Sequence, residues 1–255
     1  MQKILLLIMF VISFATQAET IVLTDQNTLS LNNQVDMESM AVLTSELVEL
    51  NKVDTEEPIF LVIRSPGGSV YDGLDFIRYA QTSRRPIHTI TLFAASMGFQ
   101  IVQGLGKRYV VKYSTLMSHR AAGGIDGIIP GPIDTRYAHF LSHIKEQDEL
   151  VVKRTKGKFT LKTYAELIRD EYWANSPKAI SDGFADEEVN VVCDKTLEGS
   201  SQKLISLQMF SVNVEFSNCP MITVPLSVKA ANNLEYIEKN NINVFQEFNK
   251  MTKRQ

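Results

Sequence analysis

Two side chains in this sequence are suited to nucleophilic hydrolysis. Ser96 lies in the run AASMG (94–98), and His119 ends the run MSH (117–119), 23 residues later. A serine hydroxyl is a weak nucleophile until a positioned base removes its proton, and histidine has a pKa suited to that task near neutral pH. The pair therefore indicates serine-type hydrolysis. In isolation, the serine can also be only a helix N-cap, and a lone histidine is more often structural.

A glycine turn provides a third chemical element. The run RSPGGSV (64–70) leads from a predicted strand into a predicted helix. Glycine tolerates unusual backbone angles and leaves its amide N–H groups unshielded by a Cβ, so such a turn can donate hydrogen bonds to an oxyanion. Taken alone, a Pro-Gly-Gly turn is also compatible with a purely structural turn.

Alternating elements position these residues. From residue 20 to about residue 190, short β-rich runs alternate with amphipathic stretches, which is typical of α/β crossover units. The predicted strands are 21–23, 59–63, 87–93, 108–112 and 115–118, the last two joined by Tyr113-Ser114. Helical spacing of apolar residues predicts helices over 37–50 and 70–77, and a further helix is predicted at 96–105.

A glycine-rich segment follows His119. Residues 121–132 contain four glycines and two prolines, which predicts a projecting segment without regular structure. Asp134 can then cap a long helix that ends near Gly157. In this helix, His139 and His143 are four residues apart and share a face. That spacing can bind a metal, but no acidic or cysteine partner is evident, so we predict no metal site and no cofactor.

The first 18 residues have the pattern of a secretory signal peptide. Lys3 precedes an apolar run at 4–15, and the first acidic residue is Glu19. The run is shorter than the roughly 20 residues that span a bilayer, so a permanent anchor is the weaker alternative. We expect cleavage after Ala18 and export to the periplasm or the exterior.

The formal net charge of the chain is -3. Proteins that bind nucleic acid usually carry an excess of basic residues, which neutralise the phosphate groups, so we expect no nucleic-acid partner.

Both cysteines lie in the last quarter of the chain. Cys193 and Cys219 are expected to form a disulfide, because export places them where disulfides persist; two buried thiols are the alternative. We interpret residues 191–255, which are richer in Ser and Asn, as a small β-containing appendage with a C-terminal helix and no assigned role.

Together, the motifs resemble the proteolytic subunit of the Clp protease family over about residues 20–190. They occur in the order and at the intervals of that family: the stretch 65–80, AASMG at 94–98, GKR at 106–108, His119, the glycines at 123, 124 and 127 before a long helix, SPKA at 176–179 and GFAD at 183–186. The resemblance divides the chain into a signal peptide (1–18), a catalytic domain (19–190) and the appendage (191–255).

The resemblance implies a fold and a mechanism. The fold is crotonase-like, an α/β architecture of repeated ββα units, and the mechanism uses a Ser-His-acid triad. Ser96 attacks the peptide carbonyl and His119 transfers the proton. The backbone N–H groups of Gly68 and Met97 form the oxyanion hole, which agrees with the glycine turn and the start of a helix at those positions. In the family, a Gly-rich segment after the histidine and the following helix mediate assembly of stacked heptameric rings, and the resemblance implies this part for residues 121–150.

The triad acid departs from the family pattern of an aspartate before an aromatic residue. Glu171 occupies the matching register, eight residues before Ala179, and Tyr172 supplies the aromatic residue. Asp170 keeps the residue type, but its use requires a one-residue insertion. Glu171 is the predicted acid and Asp170 the alternative.

We therefore expect an exported serine endopeptidase, a homo-oligomeric ring that hydrolyses small or unfolded polypeptides. No ATPase partner is expected, because export leads to a space without ATP.

Three other interpretations compete with the peptidase. One alternative, an enzyme similar to signal peptide peptidase A, uses a lysine base, which His119 disfavours. Two more interpretations compete with the peptidase. The first is a catalytically inactive assembly or binding module, and the second is an acyl-coenzyme A enzyme of the crotonase fold, which does not need Ser96.

Overall fold

The computed structural model of the chain describes residues 18–124, 126–128 and 130–252. The predicted signal peptide at residues 1–18 lies outside these described residues, apart from Ala18. Within the described part of the chain, no helix is both long and apolar enough to cross a bilayer.

Eleven strands and eight α-helices make up the described part of the chain. The strands are β1 (Thr20–Leu23), β2 (Thr28–Leu31), β3 (Ile59–Ser65), β4 (Ile87–Ala95), β5 (Arg108–Ser118), β6 (Tyr172–Asn175), β7 (Glu187–Glu188), β8 (Asn190–Cys193), β9 (Ser200–Ser206), β10 (Ser211–Ser217) and β11 (Ser227–Ala230). The helices are α1 (Met37–Leu50), α2 (Val70–Ala80), α3 (Met97–Gly104), α4 (Pro132–Arg154), α5 (Leu161–Leu167), α6 (Ser176–Asp182), α7 (Leu234–Lys239) and α8 (Val244–Thr252).

The central sheet has the strand order β2-β3-β4-β5-β6, and β7 pairs with the start of β5. Strands β2 to β5 are parallel, while β6 runs antiparallel to β5. Parallel neighbours require crossover connections, which α1, α2 and α3 provide. The α/β class with repeated crossover units is thus confirmed. Because the strands are parallel, the carboxyl ends of β3, β4 and β5 meet at one edge of the sheet.

Helix α1 illustrates why the sequence forms these crossovers. The Asp36 carboxylate caps the helix by accepting a hydrogen bond from the Ser39 amide at 2.8 Å. The helix then buries one stripe of side chains against the sheet, at Met40, Leu43, Leu47 and Leu50. This spacing of three and four residues matches one face of a helix, so burial and capping favour the same conformation.

The opposite face of the sheet is covered by β1 and β8, which pair in parallel with Leu23 beside Cys193. A second apolar cluster forms there, with Val62, Ile90 and Tyr109 from the sheet against Ile21 and Leu23. Apolar clusters therefore cover both faces of the central sheet, and their packing holds the strand ends in position.

Two predicted boundaries are wrong. Residues 108–118 form one strand rather than two, since β5 absorbs the irregularity at Tyr113 (φ 67°) as a shift of register against β4. The N-cap of α4 is Gly131 and not Asp134, because Pro132 is favoured at the first helical position; the Asp134 carboxylate still caps this end, accepting a hydrogen bond from the Gly131 amide at 3.4 Å. The helix ends at Arg154, three residues before Gly157.

Beyond β8, strands β9, β10 and β11 form an antiparallel sheet that packs with α7 and α8 around an apolar cluster containing Phe210, Val212, Val214, Ile237 and Phe248. A disulfide joins Cys193 in β8 to Cys219. The bridge therefore ties this C-terminal sheet to the strand pair that covers the central sheet.

Candidate active site

Ser96 occupies the junction between β4 and α3. Its backbone has φ 54° and ψ -120°, a conformation that costs a non-glycine residue on the order of 1–3 kcal/mol. Ser96 occupies the N-cap position of α3, but its side chain makes no cap hydrogen bond to the helix. The strained turn instead directs the hydroxyl away from the helix and toward β5.

His119 directly follows the last residue of β5. Its Nε2 atom lies 2.8 Å from Ser96 Oγ, which is hydrogen-bonding distance. The adjacent parallel strands impose this proximity, because Ala95 pairs with Met117 and the Ser96 amide donates to the Met117 carbonyl at 3.0 Å. The structure thus brings together the two side chains that the sequence motifs indicate.

The glycine turn packs directly against the serine. A Cβ on Gly67 would lie 2.6 Å from Ser96 Cβ and 2.7 Å from the Met97 amide nitrogen, far inside normal contact. Val35 holds the turn on its other side, since its amide donates to the Gly67 carbonyl and its carbonyl accepts from the Ser69 amide, both at 2.8 Å. Only glycine allows the turn to approach the serine this closely.

Gly68 and Met97 have amide groups suited to an oxyanion. Within the described residues, neither backbone N–H donates to an intramolecular acceptor. Met97 is the first residue of α3, where the helix leaves its amide groups unpaired and carries a partial positive charge. The arrangement can therefore stabilise negative charge that develops beside Ser96.

Glu171 and His119 both lie just beyond the end of the β5–β6 ladder. Ser118 pairs with Tyr172 as the last pair of the antiparallel β5 and β6, and His119 and Glu171 are the residues that adjoin that pair. The Glu171 carboxylate, however, accepts a hydrogen bond from Trp173 Nε1 at 2.9 Å. Within the described part of the chain, no carboxylate makes a hydrogen bond to His119.

The alternative acid, Asp170, forms an ion pair with its neighbour Arg169, at 2.6 Å. This hydrogen bond and charge hold the pKa of Asp170 below its ordinary value. The charge of Arg120, the residue after the histidine, also contributes to lowering the pKa of Asp170.

Tyr164 supports the end of β5, a contact that sequence reasoning missed. Its hydroxyl shares a hydrogen bond of 2.8 Å with Ser118 Oγ, and both side chains are buried. Burial raises the pKa of the Tyr164 phenol, which keeps it neutral. The two residues are 46 positions apart, so no local pattern could have revealed their contact.

Asp148 in α4 is a half-buried carboxyl group close enough to Tyr164 to influence its titration. Burial raises the pKa of Asp148 to about 6. No signal in the sequence distinguishes this residue, because an acidic residue in an amphipathic helix is ordinarily solvated.

Two motif residues have a structural role. Arg108, in the run GKR, is 2% exposed and forms an ion pair with Asp186 of the run GFAD at 2.6 Å. Burial alone would raise the pKa of Asp186, but hydrogen bonds and the charge of Arg108 outweigh it and lower that pKa. This ion pair fixes the start of β5 to the segment before β7.

The described residues contain no metal site built from three or more side chains. In the ranges 18–124, 126–128 and 130–252, His, Cys, Asp and Glu side chains nowhere form a group of three or more that could hold an ion. The described arrangement at Ser96 consists of a hydroxyl, an imidazole and two amide groups.

Comparison with known proteins identifies the family. The sequence model described as Clp protease matches residues 15–191. The chain is 31% identical over 175 residues to the ATP-dependent Clp protease proteolytic subunit 2 of Thermobifida fusca, covering 67% of this chain and 84% of that protein. It is 32% identical over 163 residues to the subunit of the same name from Nocardia farcinica, covering 63% and 79%.

Some relatives match over a shorter stretch. The ATP-dependent Clp protease proteolytic subunit 1 of Prochlorococcus marinus strain MIT 9312 is 39% identical over 100 residues, which is 38% of this chain. The chain thus spans about half, 51%, of that curated relative's length. The family match nevertheless covers the whole central sheet and every residue of the site, and the chain belongs to the Clp protease family.

Proposed function

We propose that this chain is a serine endopeptidase that hydrolyses peptide bonds in small or unfolded polypeptides. The observation that carries the proposal is the 2.8 Å contact between Ser96 Oγ and His119 Nε2, beside two unpaired backbone amides. Family membership supports the same activity. The base at the serine is an imidazole, which favours this chemistry over the lysine-dependent alternative.

The proposed mechanism assigns each group one step. His119 removes the Ser96 proton as Oγ attacks the peptide carbonyl, and the same proton passes to the leaving amine. The amides of Gly68 and Met97 stabilise the tetrahedral oxyanion, and one such donor typically contributes about 10²–10³ in turnover. Water then repeats the sequence on the acyl-enzyme.

Glu171 completes the proposed triad. Its position beside the end of the β5–β6 ladder, where His119 also lies, supports this role, and the role requires the carboxylate to exchange its hydrogen bond from Trp173 for one from the imidazole. A carboxylate there fixes the histidine tautomer and stabilises the imidazolium that forms during attack.

Turnover of single variants tests the mechanism. Ser96→Ala and His119→Ala should each reduce hydrolysis of an unstructured peptide by about 10⁴–10⁶, because triad members act as a unit. Circular dichroism checks that each variant is folded. A Ser96→Ala protein that keeps more than about a tenth of wild-type turnover would remove the serine mechanism.

A second candidate is a catalytically inactive assembly module. The observation in its favour is that Glu171 is engaged by Trp173 and not by the histidine. The two candidates separate in the same assay, since an inactive module gives wild-type protein and Ser96→Ala protein equal background rates.

We also propose that the protein is exported after cleavage behind Ala18. The signal-peptide pattern supports export, and the Cys193–Cys219 disulfide suits an oxidising compartment. N-terminal sequencing of protein recovered from the periplasm or the medium should begin at Glu19. An intact N-terminus on protein confined to the cytosol contradicts the proposal.

We further propose assembly into a homo-oligomeric ring through residues 121–151. Helix α4 buries only Gln147 and Val151 and exposes the apolar residues Tyr137 and Leu141, a surface suited to docking against a second copy. Leu141→Asp should lower the mass measured by light scattering. The matched control Leu204→Asp, at an exposed leucine on β9, should leave the mass unchanged.

ATP-independent hydrolysis is the last part of the proposal. The relatives' names describe ATP-dependent proteases, and an unfoldase partner is the alternative. Export leads to a space without ATP, which supports independence for this chain. The purified protein should degrade a reduced, carboxymethylated polypeptide at the same rate with and without ATP. Degradation that requires an added ATPase contradicts this part of the proposal.

A further inference from the structure

Two imidazole side chains converge on the surface of α4, away from the candidate active site. His139 and His143 are four residues apart and therefore neighbours on one helix face. Their Nε2 atoms lie 3.2 Å from each other and share a hydrogen bond, in which one ring N–H donates to the other nitrogen. Two nitrogens bound at about 2.0–2.1 Å to one ion, at an angle between square-planar and tetrahedral, are roughly 2.9–3.4 Å apart. The observed separation falls within that range.

Glu146 stands behind the pair. Its Oε2 atom lies 3.8 Å from Nδ1 of His143, on the opposite side of the imidazole from the converging nitrogen. Metal-binding histidines almost always direct their second ring nitrogen to a carboxylate or carbonyl, which fixes the tautomer and raises the basicity of the ligand. At 3.8 Å the carboxylate makes no hydrogen bond to Nδ1, and its side chain must move closer to hold His143 with Nε2 unprotonated.

The two histidines differ in their surroundings: His139 faces solvent, and His143 packs against an aromatic ring. His139 is exposed, so water can complete the coordination, while His143 rests edge-on against the Tyr71 ring at 6.2 Å between centroids. Tyr71 also contacts the Phe140 ring at 6.0 Å. These aromatic contacts limit the freedom of the His143 ring, which lowers the entropic cost of chelation.

We propose that His139 and His143 bind one divalent transition-metal ion of the nickel, copper and zinc group, with water in the remaining positions. Imidazole nitrogens suit these ions and not magnesium or calcium, and affinity should be greatest for Cu²⁺. The site is independent of the peptidase proposal. It lies at the contact of α4 with the start of α2, where the Tyr71 ring packs against His143.

Calorimetric titration of the tag-free protein with NiCl₂, CuCl₂ and ZnCl₂ tests the site. We expect one ion per chain, at least about 10-fold weaker binding in His139→Gln and in His143→Gln, and roughly 10-fold weaker binding in Glu146→Gln. His88→Gln is the matched control, since His88 lies on β4 and accepts from the Lys107 amide, and it should bind as the wild type does. His119→Ala excludes binding at the candidate active site.

The exposed position of His139 keeps the test interpretable even if His143→Gln folds poorly. Electron paramagnetic resonance of the Cu²⁺ complex should show two nitrogen ligands in the wild type and one in His139→Gln. Overturning results are wild-type affinity in folded His139→Gln, binding lost in His88→Gln or His119→Ala, or no stoichiometric binding of any of the three ions.

Discussion

The closeness of the glycine turn to the serine predicts an outcome for Gly67→Ala. The new Cβ would lie 2.6 Å from Ser96 Cβ and from the Ala95 carbonyl oxygen, and 2.7 Å from the Met97 amide nitrogen. It therefore pushes against the backbone that carries the nucleophile and covers an amide assigned to the oxyanion. Both effects act at the reaction centre rather than on the fold at large.

Gly67→Ala should lower both the stability of the protein and its turnover. A left-handed backbone at φ +92° costs alanine about 1–2 kcal/mol, and overpacking of the turn adds about 1–3 kcal/mol. Loss of one oxyanion donor should lower turnover by about 10²–10³. The loss of turnover, and not the loss of stability, is the result that tests the contact between the glycine turn and Ser96.

Gly157→Ala is the matched control. Gly157 has nearly the same φ, +87°, yet nothing lies within 4 Å of the position that a Cβ would take there. This substitution should cost only the left-handed strain, about 1–2 kcal/mol, and leave turnover unchanged. Denaturant unfolding and peptide hydrolysis measure the two quantities on the same samples. Gly67→Ala with more than half of wild-type turnover would refute the proposed contact between turn and nucleophile.

Three further predictions concern a buried carboxyl group, a buried hydrogen bond and the triad acid. Because the folded-state pKa of Asp148 is raised to about 6, the native protein binds more protons than the unfolded chain between about pH 4 and 6, and its stability falls as pH rises through that window. Asp148→Asn should therefore raise the free energy of unfolding at pH 7.5 by at most about 3 kcal/mol and not at pH 3.5, as urea titration can show. Tyr164→Phe leaves Ser118 without its partner and should cost about 1–2 kcal/mol in the same assay, part of which Ser118→Ala recovers. Glu171→Gln should reduce turnover by roughly 10³ or more while Asp170→Asn is nearly silent; the reverse would assign the acid to Asp170.

The sequence was sufficient for the α/β class and for the residues that meet at the strand ends. Parallel strands joined by crossovers must place their carboxyl ends together, so Ser96 and His119 could be expected at one edge from pattern alone. The glycine turn could also be predicted from the sequence, because a Pro-Gly-Gly run allows the backbone to approach a neighbouring group or a ligand closely.

Contacts between distant segments could not be predicted. Tyr164 meets Ser118 only because α5 packs on the sheet, and a periodic pattern does not specify which buried residue it faces. The engagement of Glu171 by Trp173 depends on side-chain torsions at a residue with φ 65°, which residue type does not reveal. Asp134 is a good cap residue by type, but the proline two positions earlier starts α4 before it.

Labelling with a fluorophosphonate probe, followed by peptide mapping, tests the serine mechanism most directly, because the probe reacts only with an activated serine hydroxyl. We expect a single modified residue, Ser96, and labelling slowed by at least about 10³ in His119→Ala, where the base is missing. No labelling of the folded wild-type protein, labelling at another serine, or an unchanged rate in His119→Ala would contradict that mechanism.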